Sequence, residues 1–230
     1  MVASVICERR NRTVSTSIDD VREGFARLRE AGCLPNVFGV GAHRFRLNPV
    51  IEESVVAAFE RSHGVTLPEG YRRFLTEIGN GGAGPFYGVS RLGEMDSING
   101  EEPWKAGDGF IGVLSEPFPH REAWNDVPDY PECPDYPGDA EEDAAYDRTF
   151  EAADAIYWDS RNVNGAVPIC HRGCCLRDWL VVTGPEAGHV WEDRRVDDEG
   201  LVPSAGPDGR RMTFLDWYCD WLGAAVARLR

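Results

Sequence analysis

The sequence predicts an α+β protein of a single domain, with N-terminal helices, a central, mostly antiparallel twisted sheet and a closing C-terminal helix. Amphipathic helical patterns fill the first third of the chain, short β-like runs separated by turn residues begin near residue 86, and an apolar helix pattern ends the chain. No run precedes a helix of crossover length, which favours antiparallel pairing. A chain of 230 residues with 42% hydrophobic residues suffices for one sizeable core.

Three helices are predicted before residue 80. Ser17 is a suitable N-cap for the first helix, and Gly32 ends it. The second extends over 49–63, with a proline at its first position. Pro68 opens the third, which ends at Gly79. Residues 1–48 are predicted to form an N-terminal extension of the domain.

The strands and the last helix are predicted from the second half of the chain. Thr213 caps a closing helix with a run of aromatic residues, and Asp197 to Gly200 is expected to be a hairpin loop. In the connector before the second helix, 37–39 and 43–45 are predicted as short extended pieces. The predicted β-like runs are 86–89, 109–114, 155–158, 167–170, 179–183 and 189–191.

Net charge is concentrated in one segment. The chain carries 39 acidic and 24 basic residues, for a net charge of −15, and residues 96–160 hold 18 acidic and three basic ones. Without a basic stripe, direct nucleic-acid binding and attachment to anionic membranes are not expected. No apolar run approaches the length of a membrane span, and no signal peptide is recognisable at the N-terminus. A cytoplasmic location is therefore expected.

The segment 116–154 is predicted to be an acidic, proline-rich insertion outside the core, with an acidic helix over 140–153. Two interpretations stay open, a solvated insertion and an interface for a basic protein. Aromatic residues interleaved with carboxylates favour the interface, since such anchors with a rim of one charge sign suit a basic partner. The candidate partner-binding residues are Trp124, Tyr130, Asp135, Tyr136, Asp139, Glu141, Glu142 and Asp143.

Residue patterns give little support to catalysis or metal binding. The cluster Cys170 to Cys175 contains His171, but a structural zinc site usually needs a second pair of ligands, which the sequence does not supply. A Cys174 nucleophile with His171 or His189 as its base has no support beyond spacing. The glycine-rich run 79–84 lacks the Lys-Ser/Thr of a phosphate loop. We therefore expect no catalytic residue, metal or other cofactor.

Two stretches carry a recognisable pattern. The first is "LP-x-x-Y-x-x-FL" at 67–75 followed by "NGG" at 80–82, and the second is "G-x-VW" at 188–191 followed by "F-x-x-W" at 214–217. Together they resemble the SUKH superfamily, which contains fungal cell-wall-assembly regulators and bacterial immunity proteins. The residues of the pattern, expected to be structural, are Leu67, Pro68, Tyr71, Phe74, Leu75, Asn80, Gly81, Gly82, Gly184, Trp191, Phe214, Trp217 and Trp221.

The resemblance covers about 50–95 and 165–225 and implies a non-enzymatic binding module. The first function that this resemblance implies is that of an immunity protein, which binds and neutralises a toxin. The expected toxin is a basic nuclease. The alternative is a regulatory adaptor that binds cellular partners without a toxin. A small metalloenzyme built on the cysteine cluster is the third hypothesis. The oligomeric state is left open.

Overall fold

The fold is α+β, as the sequence predicts. A computed structural model describes residues 16–32, 35–93, 111–134 and 139–229. The helices are α1 (Ile18–Ala31), α2 (Val40–His43), α3 (Glu53–His63), α4 (Glu69–Glu77), α5 (Ala140–Tyr157) and α6 (Phe214–Val226). The strands are β1 (Ala166–Gly173), β2 (Leu176–Val181), β3 (Val190–Asp193) and β4 (Leu201–Pro203), which form an antiparallel sheet in chain order.

The ends of α1 form as the sequence predicts. The Ser17 hydroxyl accepts a hydrogen bond from the Asp20 backbone N–H, and the Asp20 carboxylate accepts one from the Ser17 backbone N–H. Gly32 ends the helix in the left-handed conformation, at φ 64°. The N-terminal helix therefore has defined ends of its own, and it packs against α6.

The closing helix α6 joins the helical part of the molecule. Its Phe214 ring lies 4.8 Å from the ring of Tyr71 and 5.1 Å from that of Phe74, both on α4. The Tyr218 hydroxyl donates a 2.6 Å hydrogen bond to the Ala83 carbonyl, and the ring is fully buried. Burial of large aromatic rings contributes much of a core's stability, so this helix is a principal part of the core.

The sheet begins with a tight hairpin between β1 and β2. Its two loop residues, Cys174 and Cys175, have φ values of 47° and 65°, the sign that a type I′ turn requires at both positions. The short strand β4, which lies in a region without a predicted strand, pairs with β3. Register places Asp178 opposite Glu192, and Trp179 opposite Trp191. Because successive side chains alternate between faces, these two pairs lie on opposite faces of the sheet.

The beginning of the central segment covers the tryptophan face of the sheet. Phe118 is buried, and its ring lies 4.9 Å from that of Trp191. Trp124 exchanges backbone hydrogen bonds of 2.9 and 2.7 Å with Leu201 of β4. The prediction that the whole segment from residue 116 lies outside the core is therefore wrong at its start, because these apolar side chains pack on the sheet.

Several predicted extended pieces are wrong. Residues 155–158 lie at the end of helix α5, and residues 37–39 form no strand. The predicted extended piece 43–45 begins with the last residue of helix α2. Residues 111–114 form no strand, and 109–110 lie outside the described residues. Within 86–89 only Val89 takes part, through isolated bridges to Gly82 and Cys170. Short apolar runs do not distinguish a helix end or a buried loop from a strand.

None of the helices in the described part of the chain combines the length and the apolar character needed to cross a bilayer.

The contact between α1 and α6 depends on a glycine. A Cβ atom on Gly24 would lie 2.5 Å from Cδ2 and 2.7 Å from Cγ of Leu222, which is buried. We predict that Gly24→Ala lowers the free energy of unfolding by about 1–2 kcal/mol, because overpacking outweighs the gain in helix propensity. Gly223→Ala on α6 is the matched control, since its Cβ would meet nothing within 4 Å. We expect it to raise stability by up to about 1 kcal/mol. Urea unfolding measures both, and equal effects would contradict this account of the helix contact.

Candidate functional site

Helix α5 carries most of the acidic residues predicted to bind a partner. The Asp139 carboxylate caps the helix by accepting a 2.8 Å hydrogen bond from the Glu141 backbone N–H. Glu141, Glu142 and Asp143 are exposed in the first turn, where carboxylates interact favourably with the helix dipole. The predicted residues Asp135 and Tyr136 lie outside the described residues.

The three consecutive acids do not share a face. Successive residues of an α-helix are rotated by about 100°, so Glu141, Glu142 and Asp143 point to three sides of α5. The exposed residues Asp143, Asp147 and Glu151 recur every four positions and therefore lie along one side of the helix. We call these three residues the acidic face. Sequence reasoning missed two of them, although their spacing within the predicted helix was visible.

Two of the predicted aromatic residues are engaged inside the molecule. The Tyr130 hydroxyl donates a 3.2 Å hydrogen bond to Asp154, and its ring lies 5.0 Å from that of Phe150. Burial and the nearby Asp154 carboxylate raise the pKa of Tyr130. The half-buried Trp124 stacks on Tyr157 at 5.5 Å. These contacts hold both rings against α5.

The C-terminal end of α5 is fixed to the body. The Tyr157 hydroxyl donates a 2.6 Å hydrogen bond to the Asn125 side chain, and the buried Arg195 donates one to the Tyr157 carbonyl. Arg195 also forms a buried ion pair with Asp193 at 2.7 Å. An 18-residue helix is roughly 27 Å long. The anchored end therefore supports a helix whose acidic side chains are exposed to solvent.

Residues of the SUKH-like pattern lie mainly in the core. Leu67, Tyr71, Phe74, Leu75, Trp191, Phe214 and Trp217 are buried, whereas Pro68, Gly184 and Trp221 are half-buried. The Trp191 ring lies 4.9 Å from that of Phe118, and Trp221 stacks on Phe45 at 5.4 Å.

The Asn80-Gly81-Gly82 part of the pattern forms a turn against another loop. The Asn80 side chain accepts a 2.9 Å hydrogen bond from the Leu92 backbone N–H. Gly82 has φ 103°, and a Cβ there would lie 2.6 Å from the Arg46 carbonyl oxygen. The close backbone approach explains why glycine stands here.

The cysteine cluster does not bring its thiols together. Cys170 is buried and its thiol donates to the Pro85 carbonyl at 3.2 Å, while Cys174 and Cys175 are exposed at the hairpin turn. Burial raises the pKa of the Cys170 thiol well above its ordinary value, which disfavours the nucleophilic thiolate. Among the described residues, no group of three or more His, Cys, Asp or Glu side chains could hold a metal ion.

A charged network around the buried Asp178 lies on the other face of the sheet and was not predicted. The Arg172 guanidinium forms ion pairs with Glu192 and, at 3.5 Å, with Asp178. The three residues come from three strands, so only the register brings them together. Sequence could show charged residues within apolar runs, but it could not show that they face one another.

The two carboxyl groups of this network have opposite pKa shifts. Burial raises the pKa of Asp178 to about 7, and the attraction of Arg172 only partly offsets this. Burial also opposes ionisation of Glu192, but hydrogen bonds from Arg172 and Arg194 outweigh it and lower the pKa of that group. Glu192 is therefore the anionic partner of the two arginines.

Comparison with models of protein families, with curated proteins and with solved structures found no match to this chain.

Burial of Asp178 makes stability depend on pH. Because its pKa is higher in the folded state than in the unfolded chain, the folded state binds the proton more tightly, and stability falls as the pH rises from about 4 to about 7. Asp178→Asn has no proton to lose. We predict that the stability of this variant relative to the wild type increases by about 1–3 kcal/mol between pH 5 and pH 8.

Thermal or urea unfolding across this pH range measures the effect. Glu30→Gln, which makes the same change from a carboxyl to an amide at an exposed residue near the end of α1, is the control. A constant difference between Asp178→Asn and the wild type from pH 5 to pH 8 would mean that the carboxyl group is not perturbed as described.

Proposed function

We propose that this protein is a non-enzymatic protein-binding module that contacts a basic protein through the acidic face of α5. The observation that carries the proposal is the unpaired charge of that helix. From Asp139 to Tyr157 the chain has seven carboxylates and one arginine. Glu141, Glu142 and the acidic face make no ion pair with another described residue.

Like charges along one side of a helix repel each other. Acidic residues four positions apart are neighbours on the helix surface and destabilise it by a few tenths of a kcal/mol per pair. Asp143, Asp147 and Glu151 form two such pairs. A basic partner would remove this repulsion on binding, and its attraction to the helix would speed association.

The acidic face also has apolar surface beside it. Phe150 is 38% exposed and lies three residues after Asp147, so it neighbours the acidic face on the helix. Its ring is held by Tyr130, which limits the entropy lost when a partner covers it. A partly exposed aromatic ring with a charged rim is the composition typical of a binding hot spot.

The resemblance to the SUKH superfamily supports a toxin as the partner. A nuclease toxin needs a positive surface to hold phosphates, and an acidic helix could occupy that surface and exclude the substrate. On this proposal the protein acts in immunity by steric and electrostatic blockade, without catalysis or a cofactor. An adaptor function with a basic cellular partner is the alternative, and it uses the same surface.

The test compares two variants with the same charge change. In the first, Asp143→Asn, Asp147→Asn and Glu151→Gln neutralise the acidic face. In the second, Glu30→Gln, Glu69→Gln and Glu116→Gln neutralise three exposed carboxylates elsewhere. Both are used with the wild type to capture binding proteins from the source cell, and the captured protein is purified for kinetic measurements.

We expect a basic protein to bind the wild type and the control variant. Its association rate should fall on the order of tenfold with the acidic-face variant at low salt, and the difference should shrink as salt rises. Equal association rates for both variants would place the interface elsewhere. The two biological roles are separated by expressing the partner alone. Growth arrest that this protein relieves supports immunity, and a harmless partner supports the adaptor.

A further inference from the structure

Two adjacent cysteines form the turn between β1 and β2. Cys174 and Cys175 are both exposed, and they occupy the two loop positions between Gly173 and Leu176, which pair across the hairpin. Neither cysteine belongs to α5, so the pair is separate from the acidic face. The hairpin therefore presents two thiols on successive residues to solvent.

The backbone of this turn disfavours cysteine. Cys174 and Cys175 both have positive φ, a conformation that Gly, Asn and Asp adopt far more readily than other residues. The dipeptide that suits such a turn best is Asn-Gly. What the two cysteines add at these unfavourable positions is a pair of thiols, and an unfavourable backbone conformation at an exposed reactive pair is a reason to look for function there.

Neighbouring side chains hold the turn in place. A Cβ atom on Gly173 would lie 3.3 Å from Cε2 of Tyr87, so that ring lies directly against the end of β1. On the other side, Arg177 NH1 donates a 3.3 Å hydrogen bond to the Cys175 carbonyl. Because the backbone is held by these contacts, a ligand of the two thiols meets a preorganised turn, which limits the entropy lost on binding.

The spacing of the pair disfavours a disulfide between its own thiols. Successive Cα atoms of a chain are about 3.8 Å apart, whereas the Cα atoms of ordinary disulfides are about 4.4–6.8 Å apart. A bond between Cys174 and Cys175 would therefore be strained and easily reduced. The nearby Cys170 is buried, and its thiol donates to the Pro85 carbonyl. Under reducing conditions the pair is thus a free dithiol.

We propose that Cys174 and Cys175 together chelate a thiophilic centre that needs two sulfur ligands, such as trivalent arsenic with one organic substituent. Thiolates are soft ligands and select soft metals and metalloids. In the reaction with phenylarsine oxide, two As–S bonds form, and both thiol protons leave with the oxygen of the arsenic as one molecule of water. Arsenic stays trivalent and neither sulfur is oxidised, so the reaction needs no oxidant or reductant.

The number of ligands determines which centres suit the pair. A structural zinc ion takes four protein ligands, and an iron–sulfur cluster is usually held by four cysteines. Within the ranges that the structure describes, no His, Cys, Asp or Glu side chains gather in a group of three or more that could hold a metal ion. A centre with two open positions for sulfur is the class that Cys174 and Cys175 can satisfy by themselves.

The test titrates the reduced protein with phenylarsine oxide in excess 2-mercaptoethanol and counts the bound phenylarsenic groups by native mass spectrometry. A monothiol displaces arsenic that is held by one cysteine, whereas a chelate survives because the second As–S bond keeps the arsenic in place. We expect one group per chain, removable by 2,3-dimercaptopropanol. Cys174→Ser and Cys175→Ser should each weaken binding on the order of a hundredfold. Cys133→Ser, which removes an exposed cysteine elsewhere, should bind as the wild type does.

A double variant, Cys174→Asn with Cys175→Gly, separates the thiols from the turn. Asn-Gly is the dipeptide that the turn favours, so this variant should keep or raise the melting temperature and bind no phenylarsine oxide in excess 2-mercaptoethanol. Binding that survives in this variant would place the arsenic on other cysteines and overturn the proposal. A wild-type adduct that 2-mercaptoethanol removes would also overturn it, because the thiols would then act singly. A markedly lower melting temperature of the double variant would show that the cysteines serve the fold, which would contradict the argument for a ligand.

Discussion

The fold depends on how α6 packs against the rest of the molecule. Phe214 and Tyr218 bury their rings against α4, and the Tyr218 hydroxyl pairs with the Ala83 carbonyl in the turn that follows. Leu222 on the same helix fills the space left by Gly24 of α1. One helix thus contacts α1, α4 and Ala83, which directly follows the Asn80-Gly81-Gly82 turn. Because interiors are closely packed, a change at any of these contacts is felt at the others.

Local signals predicted the helices well. The N-caps at Ser17 and Thr213 and the C-cap at Gly32 depend on interactions between residues a few positions apart. Such helix ends can therefore be predicted from the sequence alone. Strand β4 is three residues long and exists because β3 lies beside it. Residues 155–158 have a strand-like composition, but they continue α5. Tertiary contacts determine the secondary structure of those two segments, and a local sequence pattern does not show such contacts.

The candidate sites also differ in how far the sequence could predict them. Composition alone located the acidic helix, because a surplus of carboxylates in one segment is visible without any structure. Which carboxylates share a face follows from their four-residue spacing within the predicted helix, whereas the roles of Tyr130 and Trp124 required knowledge of their partners. The network of Arg172, Asp178 and Glu192 could not be predicted, since three strands must be paired in one register before these side chains meet.

Register also explains why the two faces of the sheet differ. A shift of one residue in β2 would exchange Asp178 for Trp179 and place a carboxyl group where Trp179 now lies. On its own face, Trp179 is buried and its N–H donates a 3.0 Å hydrogen bond to Asp193, which also pairs with Arg195. That satisfied cluster supports the end of α5 through the Tyr157 carbonyl. The opposite face retains unpaired polar atoms beside a groove. One strand alignment therefore gives the sheet one face with a satisfied polar cluster and another face with unpaired polar atoms.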